Sequence, residues 1–513
     1  MLACVRSAAL WGIDALPVTV EVDVNVGLPQ TTIVGLPDAS VQESRERIKA
    51  AIQNAGFVFP MRRIIINLAP GDLKKGGPSF DLPIALGVLA ASGQLETRYL
   101  ADFLFTGELS LDGSLRSVSG AMCLALGASQ MGLAGIIVPR ANGPEAALVE
   151  GIATRALASL AEVVKFLQNP ERIAPLPGNT SALIARSEGP DLAEVRGQPL
   201  ARRALEVAAS GGHNLLLLGP PGSGKTMLAR RLPGILPALS LDEALESTRI
   251  YSVAGLLPRD NLIRARPFRA PHHSVSAAAL VGGGSYPKPG EVSLSHNGVL
   301  FLDEATEFRR EVLESLRQPL EEGEVLIARA RQALTFPARF AVVLAANPCP
   351  CGFYGDPFVV CRCSTLQRTR YWSRLSGPLL DRIDLQIFVG RPKPEEIIRS
   401  ITGEDSATVQ QRVNAARSIQ KQRFTTSPRV RCNAQMDSAG LREFCRLDSA
   451  GLTLLEGAVR ALHLSARSAD RILKVARTLA DLADSSEIQT LHIAEALQFR
   501  TLERMQPVGA ING

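Results

Sequence analysis

The chain lacks the segments that would place a protein in a membrane or export it. No apolar run in its 513 residues reaches the roughly twenty residues of a membrane-spanning helix. Its first residues do not combine a basic head, an apolar core and a cleavage site, so no secretory signal is predicted. We therefore expect a cytoplasmic protein with no membrane partner. Disorder is not expected either, because hydrophobic residues make up 46% of the chain and charged residues 21%.

The net charge of +6 is distributed unevenly along the chain. Residues 1–170 contain 13 lysines and arginines against 15 acidic residues, whereas residues 171–513 contain 43 against 35. A polyanionic partner such as nucleic acid would bind the more basic part. A solvated basic face explains the same bias, so charge alone leaves both interpretations open.

Composition divides the chain into three regions and one clear linker. Residues 1–172 alternate apolar strands with helical patterns, which predicts a mixed α and β domain, and residues 173–189 form a linker rich in Pro, Gly and Ser. Residues 190–395 follow the order strand, loop and helix, and residues 396–513 have helical patterns throughout. The sequence Asp-Ser-Ala-Gly-Leu occurs twice in this last region, starting at Asp437 and Asp448, and predicts two helix starts.

The most specific motif is the phosphate-binding loop G-x-x-x-x-G-K-S/T, which lies between an apolar strand and a helical segment. Glycines in such a loop let backbone N–H groups turn toward phosphate oxygens, and the following helix adds its positive end. Lys225 would reach the β- and γ-phosphates of ATP, and Thr226 would bind Mg²⁺. We expect the whole loop to bind nucleotide: Gly219, Pro220, Pro221, Gly222, Ser223, Gly224, Lys225 and Thr226.

Polar residues at later strand ends supply the other groups of a nucleotide hydrolase. Asp303 follows a second apolar strand and would hold Mg²⁺ through water, and Glu304 would orient and polarise the attacking water. Asn347 follows a third strand and would sense the γ-phosphate. Arg382 would act as an arginine finger on transition-state charge, or would pair with a neighbouring aspartate, Asp381 or Asp384. The residues alone leave these two roles of Arg382 open.

Four of the eight cysteines lie within fifteen residues, in two C-x-C pairs: Cys349, Cys351, Cys361 and Cys363. The pairs lack the usual C-x-x-C spacing of zinc sites. In a cytoplasmic chain, clustered pairs still favour a metal over disulfides, and four thiolates suit tetrahedral Zn²⁺. We predict a structural zinc site, with reduced thiols as the alternative. His272 and His273 have no acidic or thiol neighbour in the sequence, so they are interpreted as structural.

The order of these motifs resembles the AAA+ ATPases, and the residues between them resemble the magnesium-chelatase-like branch. Within that branch, the sequence is similar nearly end to end to the ComM family of bacterial competence proteins, also called YifB-like. The segments that carry the resemblance are residues 219–226, 266–274, 280–284, 289–304, 347–352 and 465–482.

The resemblance implies an α/β protein with three parts. These are a AAA+ P-loop NTPase core, an N-terminal α+β domain of the ribosomal S5 domain 2-like fold, and a C-terminal helical lid. It also implies that Asn347 is sensor 1, that Arg382 is a finger acting on a neighbouring subunit's nucleotide, and that Arg467 is sensor 2, with Arg471 as the competing residue. A finger that acts on a neighbour implies a homo-oligomeric ring, expected to be hexameric.

Two hairpins of such ATPases usually face the central pore of the ring, and their basic residues are candidates for gripping a DNA backbone. Lys288 lies near the first hairpin, in the insert between the two nucleotide motifs, and Arg329 and Arg331 lie in the second, within residues 321–340. Solvated or intersubunit ion pairs are an equally good interpretation of these residues.

Residues 75–86 resemble the nucleophile region of Lon-type proteases, with Ser79 at the position of the serine. A serine–lysine dyad also needs an amine that takes the serine proton, and Met122 occupies the position expected for that lysine. A thioether cannot accept the proton, so we do not expect peptidase activity. Lys74 or Lys75 would restore the dyad only from an unusual geometry.

Three functions follow from the sequence and its resemblance. We predict an ATP-driven DNA motor that moves branch points and promotes strand integration in transformation and recombination. The alternatives are a magnesium-chelatase motor subunit and, less favoured, a Lon-like protease. The chain lacks the D-x-S-x-S metal-adhesion motif of the chelatase partner module. ATP hydrolysis rests on named residues, whereas branch migration rests on the resemblance alone.

Overall fold

The computed structural model describes residues 1–500 except 74, 179–188, 259–261, 285–286, 330–331, 393–402 and 428–429. Arg331, Lys74 and most of the linker predicted at residues 173–189 therefore lie outside the described residues. Across the described ranges, we find no helix with the length and apolar character needed to cross a membrane.

The N-terminal region folds around two larger sheets and also contains the two-stranded antiparallel pair β6–β7. The first is a mixed sheet of order β1-β2-β4-β3 in which β3 and β4 are parallel, and the second is a parallel sheet of order β5-β8-β9. Every second residue of β2 from Val18 to Val24 is buried, as expected for a strand with one face on a core. The strands are β1 (Leu2–Trp11), β2 (Asp14–Asn25), β3 (Gln30–Val34), β4 (Arg63–Ala69), β5 (Phe103–Phe105), β6 (Glu108–Leu109), β7 (Leu115–Arg116), β8 (Gly135–Pro139) and β9 (Ala153–Leu157).

The central region contains a five-stranded parallel sheet of order β11-β14-β17-β10-β18. The three inner strands β10, β14 and β17 are continuous apolar runs because both faces of the sheet are covered: alternate leucines of β10 belong to two different cores. Two hairpins, β12–β13 and β15–β16, accompany the sheet. The strands are β10 (Leu215–Leu218), β11 (Phe268–Arg269), β12 (Gly282–Gly283), β13 (Lys288–Pro289), β14 (Val299–Leu302), β15 (Glu324–Arg329), β16 (Gln332–Pro337), β17 (Ala341–Ala346) and β18 (Leu385–Phe388).

Helices surround both regions and form the C-terminal part. Asp437 and Asp448 cap two of them by accepting backbone N–H groups, which confirms the two predicted helix starts. The N-terminal helices are Ala39–Asn54, Asp81–Ala91, Ala121–Gln130, Gly143–Ala146 and Leu160–Gln168. The central helices are Pro199–Gly211, Lys225–Ala229, Leu232–Ile235, Leu241–Ala254, Ala277–Val281, Glu291–Leu294, Arg310–Glu314, Arg317–Glu322, Thr365–Trp372 and Gly377–Leu380. The C-terminal helices are Ser406–Arg423, Ser438–Phe444, Ser449–Leu462, Ala466–Leu482 and Thr490–Gln498.

The N-terminal region packs directly on the helix Leu241–Ala254 of the central region. The Ser252 hydroxyl donates to the buried carboxylate of Glu145, and the Ser252 carbonyl accepts the Gly120 N–H at 3.0 Å. Arg249 of the same helix pairs with Asp14 at 3.1 Å. In the sequence this helix lies between the phosphate loop and the acidic pair, so the N-terminal region contacts that segment directly.

Candidate nucleotide-binding site

The phosphate loop connects the end of β10 to the helix Lys225–Ala229, and its backbone requires glycine at defined places. A Cβ atom on Gly219 would lie only 2.1 Å from the Val389 carbonyl oxygen. Gly224 has φ +88°, in the left-handed region that glycine adopts without strain. The helix begins where the motif predicts it but ends at Ala229, and a second short helix follows with Pro233 in its first turn, where no N–H is needed.

The Lys225 amine connects this loop to the end of β17. Its Nζ donates to the carbonyl oxygens of Gly219 at 2.7 Å and Pro220 at 3.0 Å, and to Asn347 Oδ1 at 3.2 Å. Burial lowers the pKa of Lys225 to about 8, although Asp303 and Glu304 act in the opposite direction. Lys225 and Asn347, predicted from separate motifs, therefore lie together.

Thr226 and Asp303 form the candidate magnesium position. The Thr226 hydroxyl donates to Asp303 Oδ2 at 2.7 Å, and the Glu304 backbone N–H donates to Asp303 Oδ1 at 3.0 Å. Thr226 lies in the first turn of the helix Lys225–Ala229, and Asp303 directly follows β14. Both lie beyond the carboxyl ends of strands of the parallel sheet, at the same edge. A hydroxyl and a carboxylate are oxygen ligands of the kind Mg²⁺ takes, so this donor set fits the ion.

Glu304 projects from the same edge as Asp303, close to His273, which the sequence predicts to be structural. Its backbone is left-handed at φ +50°, and its side chain is 58% exposed. His273 Nδ1 lies 3.7 Å from Glu304 Oε2. No acidic residue is adjacent to His273 in the sequence, and Glu304 comes close to it only through the pairing of β11 with β14.

Arg382 lies at the opposite edge of the sheet from the phosphate loop. Arg382 precedes β18, whose first residue, Leu385, pairs with Leu215 at the start of β10. The phosphate loop follows Leu218, at the other end of β10. Four strand residues span about 13 Å. The Arg382 guanidinium pairs with Glu321 and donates to the Pro378 carbonyl oxygen at 2.5 Å. The alternative of pairing with Asp381 or Asp384 was therefore wrong.

Asp384 is paired with Arg471 instead. This fully buried carboxylate also accepts the Asn214 N–H at 2.9 Å and lies 3.5 Å from His213 Nδ1. Burial alone would raise the pKa of Asp384, but Arg471 and His213 outweigh it and hold that pKa well below its usual range. Arg471 thus connects the helix Ala466–Leu482 to the sheet, while Arg467, one turn earlier, is exposed.

The basic hairpin residues are only partly described. Lys288 is exposed on β13, Arg329 is the last residue of β15, and Arg331 lies outside the described residues. The two hairpins touch, because a Cβ on Gly282 would lie 2.9 Å from Ile327 Cδ1. The predicted DNA-binding role of these residues stays a prediction.

The serine–lysine dyad is not assembled around Ser79. The Lys75 amine is buried and donates to the Pro70 carbonyl, and Met122 is buried in the helix Ala121–Gln130. Among the described residues, no lysine amine hydrogen-bonds to the Ser79 hydroxyl. The sulfur atoms of Cys349, Cys351, Cys361 and Cys363, by contrast, all lie within 4.8 Å of one another.

Comparison with known proteins identifies the family of this chain. Models of magnesium chelatase subunit ChlI match residues 20–142 and 191–397, and a model of the C-terminal part of that subunit matches residues 403–500. The YifB protein of Escherichia coli is 46% identical over 505 residues, and the competence protein ComM of Haemophilus influenzae is 45% identical over 509 residues; both alignments cover 98% of each chain. The chain belongs to the ComM/YifB family of magnesium-chelatase-like proteins.

The predicted family is thereby confirmed, and a partial similarity extends beyond it. Lon protease 2 of Thermus thermophilus is 29% identical over 135 residues, which is 25% of this chain and 16% of that protein. The match is too short to carry the activity of the whole protease to this ComM/YifB family member, and the arrangement around Ser79 does not support it.

Proposed function

We propose that this chain is an ATP hydrolase that forms a ring and moves DNA branch points during natural transformation and recombination. The proposal rests on one observation: the predicted catalytic residues lie at two opposite edges of the central sheet. Lys225, Thr226, Asp303 and Glu304 meet at one edge of the parallel sheet, and Arg382 lies at the other. A ring of identical subunits would bring the two edges together between neighbours.

Hydrolysis within one subunit would use the side chains at the carboxyl edge of the sheet. Lys225 would bind the β- and γ-phosphates, and the Thr226 hydroxyl and Asp303 carboxylate would hold Mg²⁺. Mg²⁺ held there would supply positive charge that offsets the negative charge developing on the phosphates. Glu304 would orient a water molecule and accept its proton, with His273 positioning the carboxylate. Asn347, beside Lys225, would detect the γ-phosphate.

A neighbouring subunit would supply the remaining charge. Arg382 is about a strand length away from the phosphate loop of its own chain, so it cannot reach a nucleotide bound there without rearrangement of the sheet. In a ring the Arg382 guanidinium would leave its ion pair with Glu321 and bind the phosphates of the nucleotide held by the next subunit. Arg467 belongs to the same positively charged region, since its charge helps to lower the pKa of Arg382, after the larger effect of burial. We propose that both arginines serve the neighbour's site.

The domain roles are part of the same proposal. Residues 190–395 would form the AAA+ core, residues 1–172 a non-proteolytic domain of the ribosomal S5 domain 2-like fold, and residues 396–513 the lid. A role in competence is supported by the nearly end-to-end alignment with the competence protein ComM of Haemophilus influenzae, and DNA is the substrate that we propose for this role. Lys288 and Arg329, on hairpins that touch, would contact the DNA backbone in the cytoplasm.

A magnesium-chelatase motor subunit is the second candidate, because all three matching family models carry that name. The two functions differ in what stimulates hydrolysis. Branched DNA would raise the ATPase rate of the DNA motor, whereas a chelatase motor would respond to its metal-insertion partners and not to DNA.

The proposal is tested by branch migration on a synthetic Holliday junction or D-loop. Wild-type protein with ATP should move the branch, whereas Lys225→Ala and Glu304→Gln should not, because the first loses phosphate binding and the second loses the proton acceptor. Glu307→Gln, a change at an exposed acidic residue of the same segment, is the matched control. Equal branch migration by the wild type and both site variants would contradict an ATP-driven mechanism. An ATPase rate that no DNA changes would contradict the proposal that DNA is the substrate.

A further inference from the structure

We propose that Cys349, Cys351, Cys361 and Cys363 bind one zinc ion, and that this ion holds the loop after Asn347 against the phosphate loop. The metal site stands on its own geometry. Its effect on nucleotide binding rests on the proposed ATPase function.

The sulfur positions fit a shared metal rather than disulfides. The Sγ atoms of Cys349 and Cys351 are 3.3 Å apart, and Cys361 Sγ lies 3.7 Å from each of them. Four thiolates at about 2.3 Å from a tetrahedral zinc ion are separated by about 3.8 Å. A disulfide requires about 2.05 Å. All four sulfurs lie within 4.8 Å of one another, so one ion reaches the whole set.

The loop that carries these cysteines has no regular secondary structure. No helix or strand occurs between the end of β17 at Ala346 and the helix that starts at Thr365. A connection of this length without secondary structure is uncommon in a compact domain unless something else holds it. Gly352 at φ +83° and Gly355 at φ +82° turn the chain so that the second cysteine pair returns to the first. Cys349 is fully buried and the other three are partly buried.

The same loop contacts both parts of the nucleotide site. Asn347 begins it, two residues before the first ligand. A Cβ on Gly352 would lie 2.6 Å from Pro221 Cδ, so the loop backbone packs directly on the phosphate loop. Asp356 pairs with Arg391 at 3.1 Å, and the Arg391 guanidinium covers the Phe353 ring at 5.3 Å. These contacts fasten the loop to the segment after β18, whose Val389 carbonyl packs against Gly219.

Metal analysis of the full chain tests the site. The protein is purified under reducing conditions without chelators, and zinc is measured by mass spectrometry of the digested sample. We expect one zinc per chain, and its release when an organomercurial blocks the thiols of the folded wild type. Cobalt bound in place of zinc should show the visible absorption of a tetrahedral thiolate complex. Cys361→Ser should lose the metal, whereas Cys4→Ser, a change at an exposed cysteine of β1, should keep it.

Two results would overturn the zinc site. One is wild-type protein without stoichiometric metal whose eight thiols all react as free groups once the protein is denatured, since several of them are buried in the fold. The other is a disulfide within the cluster in protein kept under native reducing conditions. Both measurements use the wild type, so the test does not depend on whether Cys361→Ser folds.

Nucleotide affinity tests the coupling. Zinc-depleted wild type, shown by circular dichroism to remain folded, should bind a non-hydrolysable ATP analogue about tenfold more weakly, and added zinc should restore the affinity, because Asn347 and Pro221 lose their support without the metal. Unchanged affinity after depletion would refute the coupling and leave the zinc site intact. Zinc-loaded protein that binds no nucleotide would refute the proposed ATPase and the coupling together, while the metal stoichiometry would still report on the site.

Discussion

ATP affinity should fall as the pH rises past about 8, because burial lowers the pKa of Lys225 to about 8 in the free protein. Only the ammonium form attracts the phosphates, and bound phosphates stabilise it, so the pKa of Lys225 is higher in the complex. Below pH 8 the amine is already charged and affinity is greatest. Above pH 8 binding must take up a proton, and affinity is lost with rising pH.

The size of the effect follows from the pKa. With a value of about 8, the ammonium fraction falls from about nine-tenths at pH 7 to about one-tenth at pH 9, so the apparent Kd should rise about tenfold. A lysine at its usual pKa of 10.5 would change the Kd by less than about 5% over this range. Unfolding at high pH cannot explain such a loss of affinity. Between about pH 8 and 10.5 the Lys225 amine is protonated in the unfolded chain but largely neutral in the folded one, so its contribution makes the folded state more stable as the pH rises.

Isothermal titration calorimetry with a non-hydrolysable ATP analogue and Mg²⁺ at pH 7, 8 and 9 measures the change. Buffers of different ionisation enthalpy should reveal proton uptake at pH 8 and 9. Lys225→Arg is the control, since its guanidinium stays charged and its pH profile should be flat. A flat Kd for the wild type, or proton release on binding, would refute this explanation of Lys225.

Three further predictions concern named contacts. Glu304→Gln should lower kcat about 10²- to 10⁴-fold and keep ATP affinity, because it removes the proton acceptor but not the phosphate contacts; a wild-type kcat in ATPase assays would exclude that role. His273→Ala should lower kcat less than Glu304→Gln does and leave the Kd unchanged, since His273 lies beside Glu304 and would position it; a change confined to Kd would argue against positioning. Asp384→Asn should destabilise the protein by about 3–5 kcal/mol in denaturant unfolding, because it leaves Arg471 without its buried partner. Asp381→Asn is the control, and equal stability of the two variants would contradict the importance of the pair.

The carboxyl edge of the central sheet could be predicted because its residues follow strands that are recognisable in the sequence. Each strand is an uninterrupted apolar run, and parallel strands end at one edge, so Lys225, Asp303 and Asn347 had to converge. The helix starts at Asp437 and Asp448 were predictable for a similar local reason, since a capping aspartate acts within one turn.

The contacts between elements distant in sequence could not be predicted. Arg382 pairs with Glu321 rather than with an adjacent aspartate, and Asp384 pairs with Arg471 from a helix of the C-terminal part. His273 meets Glu304 only through the pairing of β11 with β14. Each partner is chosen by tertiary packing, which motif spacing does not encode. The roles of Arg467, Lys288 and Arg329 stay predictions.

The most direct test of the divided site is a mixing experiment. Glu304→Gln chains keep the arginine finger but cannot hydrolyse, and Arg382→Ala chains keep their own hydrolytic residues but supply no finger. If Arg382 acts on a neighbour, each variant alone is inactive, while a 1:1 mixture pairs an intact site with an intact finger at about a quarter of the interfaces of a randomly assembled ring. The mixture should therefore regain about a quarter of the wild-type ATPase rate. No recovery in mixed assemblies of confirmed composition would contradict the shared site.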